Sequence, residues 1–435
     1  MHNRLSLSLY ILSAILVLVS VSLVLSGLIQ PSGIFIVSAF ITLAFAVRSS
    51  KTLRGYSYTL WIFAAVTASM FYPQYFISIG GFQLKTLIVP LLQIIMFGMG
   101  SQMSAKDFAG IIKMPKGVII GIFLQFTIMP LVGFAIANIF NFPAEIAAGI
   151  ILIGCVPSGL ASNVMSFLAR ANLALAVTLS SVTTILSPLL TPFLMKTLAG
   201  QFIEVNFWSM MLDILNMIIL PIVAGFTFNL VAKRNESRKS SLIQIIIFIA
   251  VILLTTLVYT KSTHTGFSEF AVKFLKSAGW FMLLPAAGAA ILSKYLRGDG
   301  KIMEQILSFF SMAGIAVIIT IITASGRESL IHVGLLLILS SLLHNLTGYS
   351  LGYFFAWLTR MPESDRRTVA FEVGMQNGGL ASGLALQMGK LATVGLAPAI
   401  FGPLMNITGS ILANWWRGKP VRNADEVTVE PKKEK

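Results

Sequence analysis

The sequence predicts an all-α polytopic membrane protein of about fourteen spans with both termini cytoplasmic. Three observations carry this. Of 435 residues, 56% are hydrophobic and 11% charged, against about 25% charged in a soluble domain, and the mean hydropathy is +0.86. The apolar residues fall in blocks near the roughly 20 residues that a membrane helix needs. The basic residues fall mostly between alternate blocks, as cytoplasmic loops require. This composition excludes a soluble enzyme, a disordered chain and a nucleic-acid-binding module. The single Cys155 excludes a disulfide framework and a cysteine metal site. His2, His264, His332 and His344 have no ligand spacing, so neither a transition metal nor a cofactor is expected.

The first block, 7–28, has too long an apolar run for a secretory signal and no A-x-A cleavage site after it, so it reads as a retained helix. A short span at 32–47 follows, then spans at 58–76 and 84–102. Residues 104–116 read as an amphipathic cytoplasmic loop. Further spans are expected at 117–139, 144–168, 172–197, 208–232, 241–260, 276–294 and 302–324. One at 331–359 is long enough to leave the bilayer, and those at 368–388 and 392–415 complete the set. With the N-terminus inside, 24 of the 31 Lys and Arg residues lie on the cytoplasmic side, which accounts for the net charge of +15 without an acidic partner. The charged tail after Trp416 lacks apolar periodicity and reads as disordered. Every loop is short, which argues against a receptor or a membrane-anchored enzyme.

An ionisable residue inside a span is costly and marks a functional candidate. Glu372 is the one acid placed well within a span, the alternative being a carboxylate that snorkels to the interface; Asp213 and Glu145 fall nearer helix ends. Around it, residues 371–383 read FEVGMQNGGLASG. Each glycine weakens a helix by about 1 kcal/mol relative to Ala. Such breakers beside Glu372, Gln376 and Asn377 predict a discontinuous helix whose freed carbonyls need partners, a cation among them. Residues 154–163, GCVPSGLASN, share this grammar: Pro157, Ser158 and Gly159 favour a break, and Ser162 and Asn163 add oxygens. Either break alone could be a structural kink. Two in corresponding places of two halves suit inverted-repeat transporters, whose broken helices meet at the midplane. One carboxylate with many neutral oxygens, including Gln125, Ser180 and Ser181, suits a monovalent hard cation. Gln125 could equally serve an interhelical hydrogen bond, and His344-Asn345 reads as helix packing.

These residues resemble the bile acid:sodium symporter superfamily, which includes keto-acid and pantoate-type anion transporters. The matching pieces are IIMFGMGSQM (94–103), QFTIMP (125–130), PAEIAAGIILIGCVPSGLASNVMSFLARAN (143–172), SPLLTP (187–192), ILPIVAG (219–225), LHNLTGY (343–349), EVGMQNGGLA (372–381) and NITGSILANWW (406–416). The resemblance implies a ten-helix core of two inverted five-helix repeats, a panel and a core domain, with the fourth and ninth helices broken and crossing. It divides the chain into an extra helix pair at 1–57, a first core half at 58–232, an inserted pair at 233–301, the rest of the core at 302–416 and a tail at 417–435. It implies one sodium site at Ser162, Asn163, Ser180 and Glu372. A second would use Gln125, Glu372, Gln376 and the carbonyls of Val373 and Met375. Substrate would lie near Leu160, Asn163, Asn377 and Met405. The chain departs from the family in places. Ala176 stands where it often has a hydroxyl, the family's PGGTASN is PSGLASN here, so that Leu160 replaces a threonine, and Met405 replaces a histidine; the changes at Leu160 and Met405 make the cavity less polar.

The expected function is sodium-coupled symport of an organic anion, bile-acid-like or a small keto or hydroxy carboxylate, by alternating access. The expected setting is a prokaryotic plasma membrane, and the oligomeric state is left open. The first rival is a proton-coupled transporter that titrates Glu372, since Ala176 weakens the first site. The second is a membrane sensor or scaffold that binds ligand without moving it. No nucleophile–base constellation suggests an enzyme.

Overall fold

The computed structural model describes residues 2–50, 53, 56–103, 110–232 and 300–421. The expected spans at 241–260 and 276–294, residues 104–109 and most of the tail lie outside the described residues.

Helices α1 (His2–Leu25) and α2 (Ile29–Arg48) form a hairpin. In an apolar setting their hydroxyls need acceptors across the interface. Ser13 Oγ donates to the Ala39 carbonyl at 2.9 Å and Ser20 Oγ to that of Ser32 at 3.0 Å. Helix α2 lies on α3 (Ser57–Phe71), where Phe45 meets Trp61 edge-on at 5.4 Å and the Tyr72 hydroxyl donates to the Gln30 carbonyl at 2.8 Å. The extra N-terminal pair thus docks on the first helix of the expected core. Helix α3 ends earlier than expected, at Tyr72-Pro73, and gives way to α4 (Gln74–Ile77) and a small hairpin of β1 (Ser78–Ile79) and β2 (Phe82–Gln83). The fold is therefore not wholly helical. Gly80 (φ 56°) and Gly81 (φ 86°) supply the two positive dihedrals of a two-residue turn, with Ser78 opposite Gln83 and Ile79 opposite Phe82. A 3₁₀ turn at Leu84–Leu87 then leads into α5 (Ile88–Gln102).

After the one-turn α6 (Gly110–Lys113) come α7 (Pro115–Ile139), α8 (Ala144–Cys155), α9 (Leu160–Leu168) and α10 (Leu173–Leu194). Asn172 opens α10 by accepting the Leu175 N–H at 3.1 Å. Helix α11 (Phe207–Ile214) continues through a π turn at Leu215–Ile219 into α12 (Leu220–Ala232). The second stretch holds α13 (Gly300–Ser325), α14 (Arg327–Leu358), α15 (Glu363–Gly374), α16 (Gly378–Gln387) and α17 (Leu396–Arg417). At 32 residues α14 is about 48 Å long at 1.5 Å per residue, beyond the roughly 30 Å hydrocarbon core. Among the described residues eight helices are long and apolar enough to cross a membrane.

The helices pack in two groups. In one, α5 lies between α12 and α13, and α13 also rests on α3. In the other, α7 to α10 pack with α14, α15 and α17. Helix α16 touches α5, α11 and α13, so it stands where the groups meet.

Candidate functional site

Both breaks follow from local sequence. Pro157 has no N–H to continue α8, and the chain runs extended through Gly159 (φ −94°, ψ 156°) before α9 begins. Helix α15 stops at Gly374, Met375 is extended, and Asn377 opens α16 by accepting the Leu380 N–H at 3.0 Å. The interrupted segments cross and pair like two short antiparallel strands at Ser158 and Gln376. The Gly159 N–H donates to the Met375 carbonyl and the Asn377 N–H to the Pro157 carbonyl, both at 2.9 Å. A Cβ on Gly159 would sit 2.7 Å from the Gln376 carbonyl oxygen, so only glycine permits this approach.

The breaks expose carbonyls that cannot stay unpaired away from water. At the first, Thr191 Oγ1 donates to the Cys155 carbonyl at 2.7 Å, Gln125 Nε2 to that of Val156 at 3.1 Å, and Asn377 N–H to that of Pro157. At the second, Gln376 Nε2 donates to the Val373 carbonyl at 2.6 Å, Asn345 Nδ2 to that of Gly374 at 2.8 Å, and Gly159 N–H to that of Met375. The sequence offered a cation as one partner for these carbonyls. In this conformation every one of them has a partner from the protein, so none of them calls for a cation.

The uncompensated charge lies at Glu372, which is 2% exposed on the last turn of α15. Its Oε1 accepts from Ser162 Oγ at 2.5 Å, and its Oε2 from Ser158 Oγ at 2.6 Å and Ser180 Oγ at 2.9 Å. Ser180 Oγ also lies 3.4 Å from Asn163 Oδ1. The four side chains of the first expected site thus share one cluster, with Ser158 added. Among the described residues no Lys or Arg pairs with Glu372. A buried carboxylate with hydroxyl donors alone carries a desolvation penalty that hydrogen bonds offset in part. A bound cation or a proton would remove it.

The second expected set is also assembled, around an amide pair: Gln125 Nε2 donates to Gln376 Oε1 at 2.8 Å. The Val373 and Met375 carbonyls lie in the same break, occupied as described above. Gln125 is therefore both an interhelical hydrogen bonder and part of the crossing, so its two readings describe one arrangement. Asn345 likewise does more than pack helices, since it holds the Gly374 carbonyl and accepts from Thr408 Oγ1 at 2.5 Å.

Beside the crossing, between the two helix groups, lies a cleft of about 100 Å³. Leu160, Asn377 and Met405 line it, with Leu92, Met96 and Ile318. Asn163 is turned toward Ser180 instead. Asn377, Ser382 and Asn406 are among its polar groups, and none of its lining residues is ionisable. Helices α9 and α16 start at this cleft. Helix N-termini are electropositive, so they favour an anion there, while the ends of α8 and α15 favour a cation.

The cluster is braced at both ends. On the side expected to face the cytoplasm, Arg367 is 2% exposed rather than in a loop. It pairs with Glu363 at 2.8 Å and donates to the carbonyls of Ala169, Trp416 and Pro420, each at 3.1 Å, joining the ends of α9 and α17 to α15. On the opposite side Lys390 pairs with Glu145, whose other oxygen accepts from Thr393 Oγ1 at 2.5 Å. Asp213 lines a recess of about 210 Å³ there with Glu204 and Lys390.

Sequence reasoning treated Ser158 only as a helix breaker, and it missed Asn345 and Arg367 as brackets of the site. The signal for Ser158 was its place inside the break motif. Asn345 lies on an uninterrupted helix 27 residues before Glu372 and gives no local signal.

An α-helical membrane protein whose interrupted helices cross at a buried carboxylate has the architecture of an ion-coupled transporter. The sequence profile of the sodium bile acid symporter family matches residues 89–269. The chain is 31% identical over 374 residues to the uncharacterized sodium-dependent transporter YocS of Bacillus subtilis, covering 86% of this chain and 94% of that one. It is 26% identical over 326 residues to the probable chloroplastic sodium/metabolite cotransporter BASS1 of Arabidopsis thaliana, 75% of this chain and 65% of that one. A rice protein of the same description is 25% identical over 368 residues, 83% of this chain and 73% of that one. The chain belongs to the sodium bile acid symporter family. It is an integral multi-pass membrane protein of a family of sodium-dependent transporters, and a prokaryotic plasma membrane agrees with the Bacillus relative.

Proposed function

We propose that this protein carries out sodium-coupled symport of a small organic anion by alternating access. The observation that carries the reading is the buried Glu372 carboxylate, ringed by hydroxyls and, among the described residues, facing no cationic side chain, where two broken helices cross. Sodium at Ser162, Asn163, Ser180 and Glu372 would neutralise it. A second ion would use Gln125, Glu372, Gln376 and the carbonyls of Val373 and Met375, replacing the protein's own amide donors. The chemistry fits, because hard monovalent cations take carboxylate, amide, hydroxyl and carbonyl oxygens. Both ions would tie the breaks into one geometry, and the anion would dock at the N-termini of α9 and α16 near Asn377, with Leu160 and Met405 against its apolar part.

The helix groups of the fold would be the moving bodies: a panel of α3, α5, α11–α12 and α13, and a core of α7–α10 with α14–α17. The breaks at 156–159 and 375–377 occupy corresponding places in the two halves, which supports two inverted repeats within a core divided at 58–232 and 302–416. Coupling is linkage, since sodium and anion raise each other's affinity by favouring one conformer. The test is uptake of radiolabelled carboxylates (bile acids, pantoate, pyruvate-type keto acids) into proteoliposomes under an inward sodium gradient. Accumulation that collapses when choline replaces sodium is expected. Accumulation driven by a pH gradient alone in sodium-free buffer would transfer the coupling to protons. Binding without accumulation would make the protein a sensor.

A further inference from the structure

The first cation cluster contains an oxygen that the sequence pattern did not assign to it and lacks one that the pattern favours. Helix α10 offers Ser180 to Glu372, but Ala176, one turn earlier and fully buried, has no oxygen to give. Ser158 enters from the other direction. It belongs to no helix, it is 2% exposed, and its Oγ lies 2.6 Å from Glu372 Oε2, 3.3 Å from Ser180 Oγ and 3.5 Å from Thr183 Oγ1. The Thr183 hydroxyl is engaged with its own helix, 2.8 Å from the Leu179 carbonyl, so Ser158 and Ser180 are the hydroxyls that meet Oε2. A Ser oxygen keeps acceptor lone pairs while its proton is donated. It can therefore donate to the carboxylate when no ion is present and face an ion when one arrives, by rotating its proton alone.

Resting on the sodium-coupled reading above, we propose that Ser158 is a sodium ligand of the first site, supplying from the helix break the oxygen that α10 lacks at Ala176. The donor set becomes Ser158, Ser162, Asn163, Ser180 and Glu372. Hard cations gather about six oxygens, so a set thinned at Ala176 would bind weakly without this contribution. The location has a second consequence. The backbone of Ser158 pairs with Gln376 across the crossing, so an ion on its hydroxyl acts directly on the pairing of the two breaks.

The test is sodium binding by the purified full-length chain in detergent, read as the rise in Tm with sodium chloride at constant ionic strength held by choline chloride. Wild type, Ser158→Ala, Ser158→Gly, Ala176→Ser and the double variant Ser158→Gly/Ala176→Ser are compared. Removing the Ser158 hydroxyl is expected to raise the half-saturating sodium concentration about tenfold, the scale of one lost bond to a charged group. The double variant is expected to recover most of that loss, which also separates ligation from a folding defect. A sodium midpoint in Ser158→Ala and Ser158→Gly equal to that of wild type would overturn the proposal, as would a double variant no better than Ser158→Gly. A wild-type chain with no sodium-dependent shift would overturn the sodium-coupled reading itself, whereas a responsive wild type with indifferent Ser158 variants removes only this ligand. Should Ser158→Ala and Ser158→Gly fail to fold, Ser158→Cys decides, because it keeps the shape and a weak donor but exchanges the hard oxygen for soft sulfur: a weaker sodium midpoint than wild type supports ligation by the Ser158 oxygen, and an unchanged one refutes it.

Discussion

Replacing Glu372 by Gln isolates the charge from the shape. The amide nitrogen can occupy the Oε1 position, where Ser162 Oγ turns acceptor by keeping its other bond, to the Gly159 carbonyl at 2.7 Å. The remaining amide oxygen then still accepts from Ser158 and Ser180. Every hydrogen bond of the cluster survives in form, so the fold should survive as well. What disappears is the negative charge. At an effective dielectric constant of about 20, a unit charge pair about 4 Å apart is worth about 4 kcal/mol, which is about three orders of magnitude in affinity. Without sodium the variant should be at least as thermostable as wild type, because a buried charge lacking a partner has been removed. With sodium it should gain nothing, while wild type gains in proportion to RT ln(1 + [Na⁺]/Kd). The assay is Tm against sodium concentration on both proteins, followed by uptake in proteoliposomes. A Glu372→Gln protein that is stabilised by sodium as strongly as wild type, or that takes up substrate in a sodium-dependent way, would refute the reasoning.

Three further outcomes follow from the same geometry. Gly159→Ala places a methyl group 2.7 Å from the Gln376 carbonyl, so the two backbone bonds of the crossing should be lost; uptake should fall below a tenth of wild type, and normal uptake would show that the crossing tolerates being prised apart. Asn345→Ala leaves the Gly374 carbonyl unpaired and should cost about 1–3 kcal/mol, read as a lower Tm with or without sodium; an unchanged Tm would deny Asn345 its role. Arg367→Met removes one partner each from Glu363 and the carbonyls of Ala169, Trp416 and Pro420, while Glu363 keeps Tyr353 and Arg366, and should cost about 1–3 kcal/mol, read as a lower Tm; an unchanged Tm would deny Arg367 its bracing role.

Much of this was legible in the sequence, because bilayers impose long-period rules. Hydropathy placed the helices, Pro157 and the glycines of 374–383 placed the breaks, and a lone intramembrane acid placed the centre. Hydroxyl chemistry was less legible. Helix α10 carries many Ser and Thr residues, and most of those hydroxyls return to their own backbone: Thr178 bonds Ala174, Thr183 bonds Leu179 and Thr184 bonds Ser180. The sequence alone cannot tell them from Ser180, which faces Glu372. Asn345 and Arg367 act on partners distant in sequence, so no local pattern announces them. The hairpin at 78–83 falls in the connection between the expected spans at 58–76 and 84–102, and its signal is the Gly80-Gly81 pair between short apolar runs.

The self-sufficiency of the crossing bears on the unloaded half of a carrier's cycle. A carrier that has delivered its cargo must turn back empty, and a site built from dangling polar atoms would then either admit water or come undone. Here Thr191, Gln125, Asn345 and Gln376 already hold the interrupted backbone. Under the proposed alternating access, the vacated protein would swing home with its crossing intact, so the return stroke would not wait for another passenger.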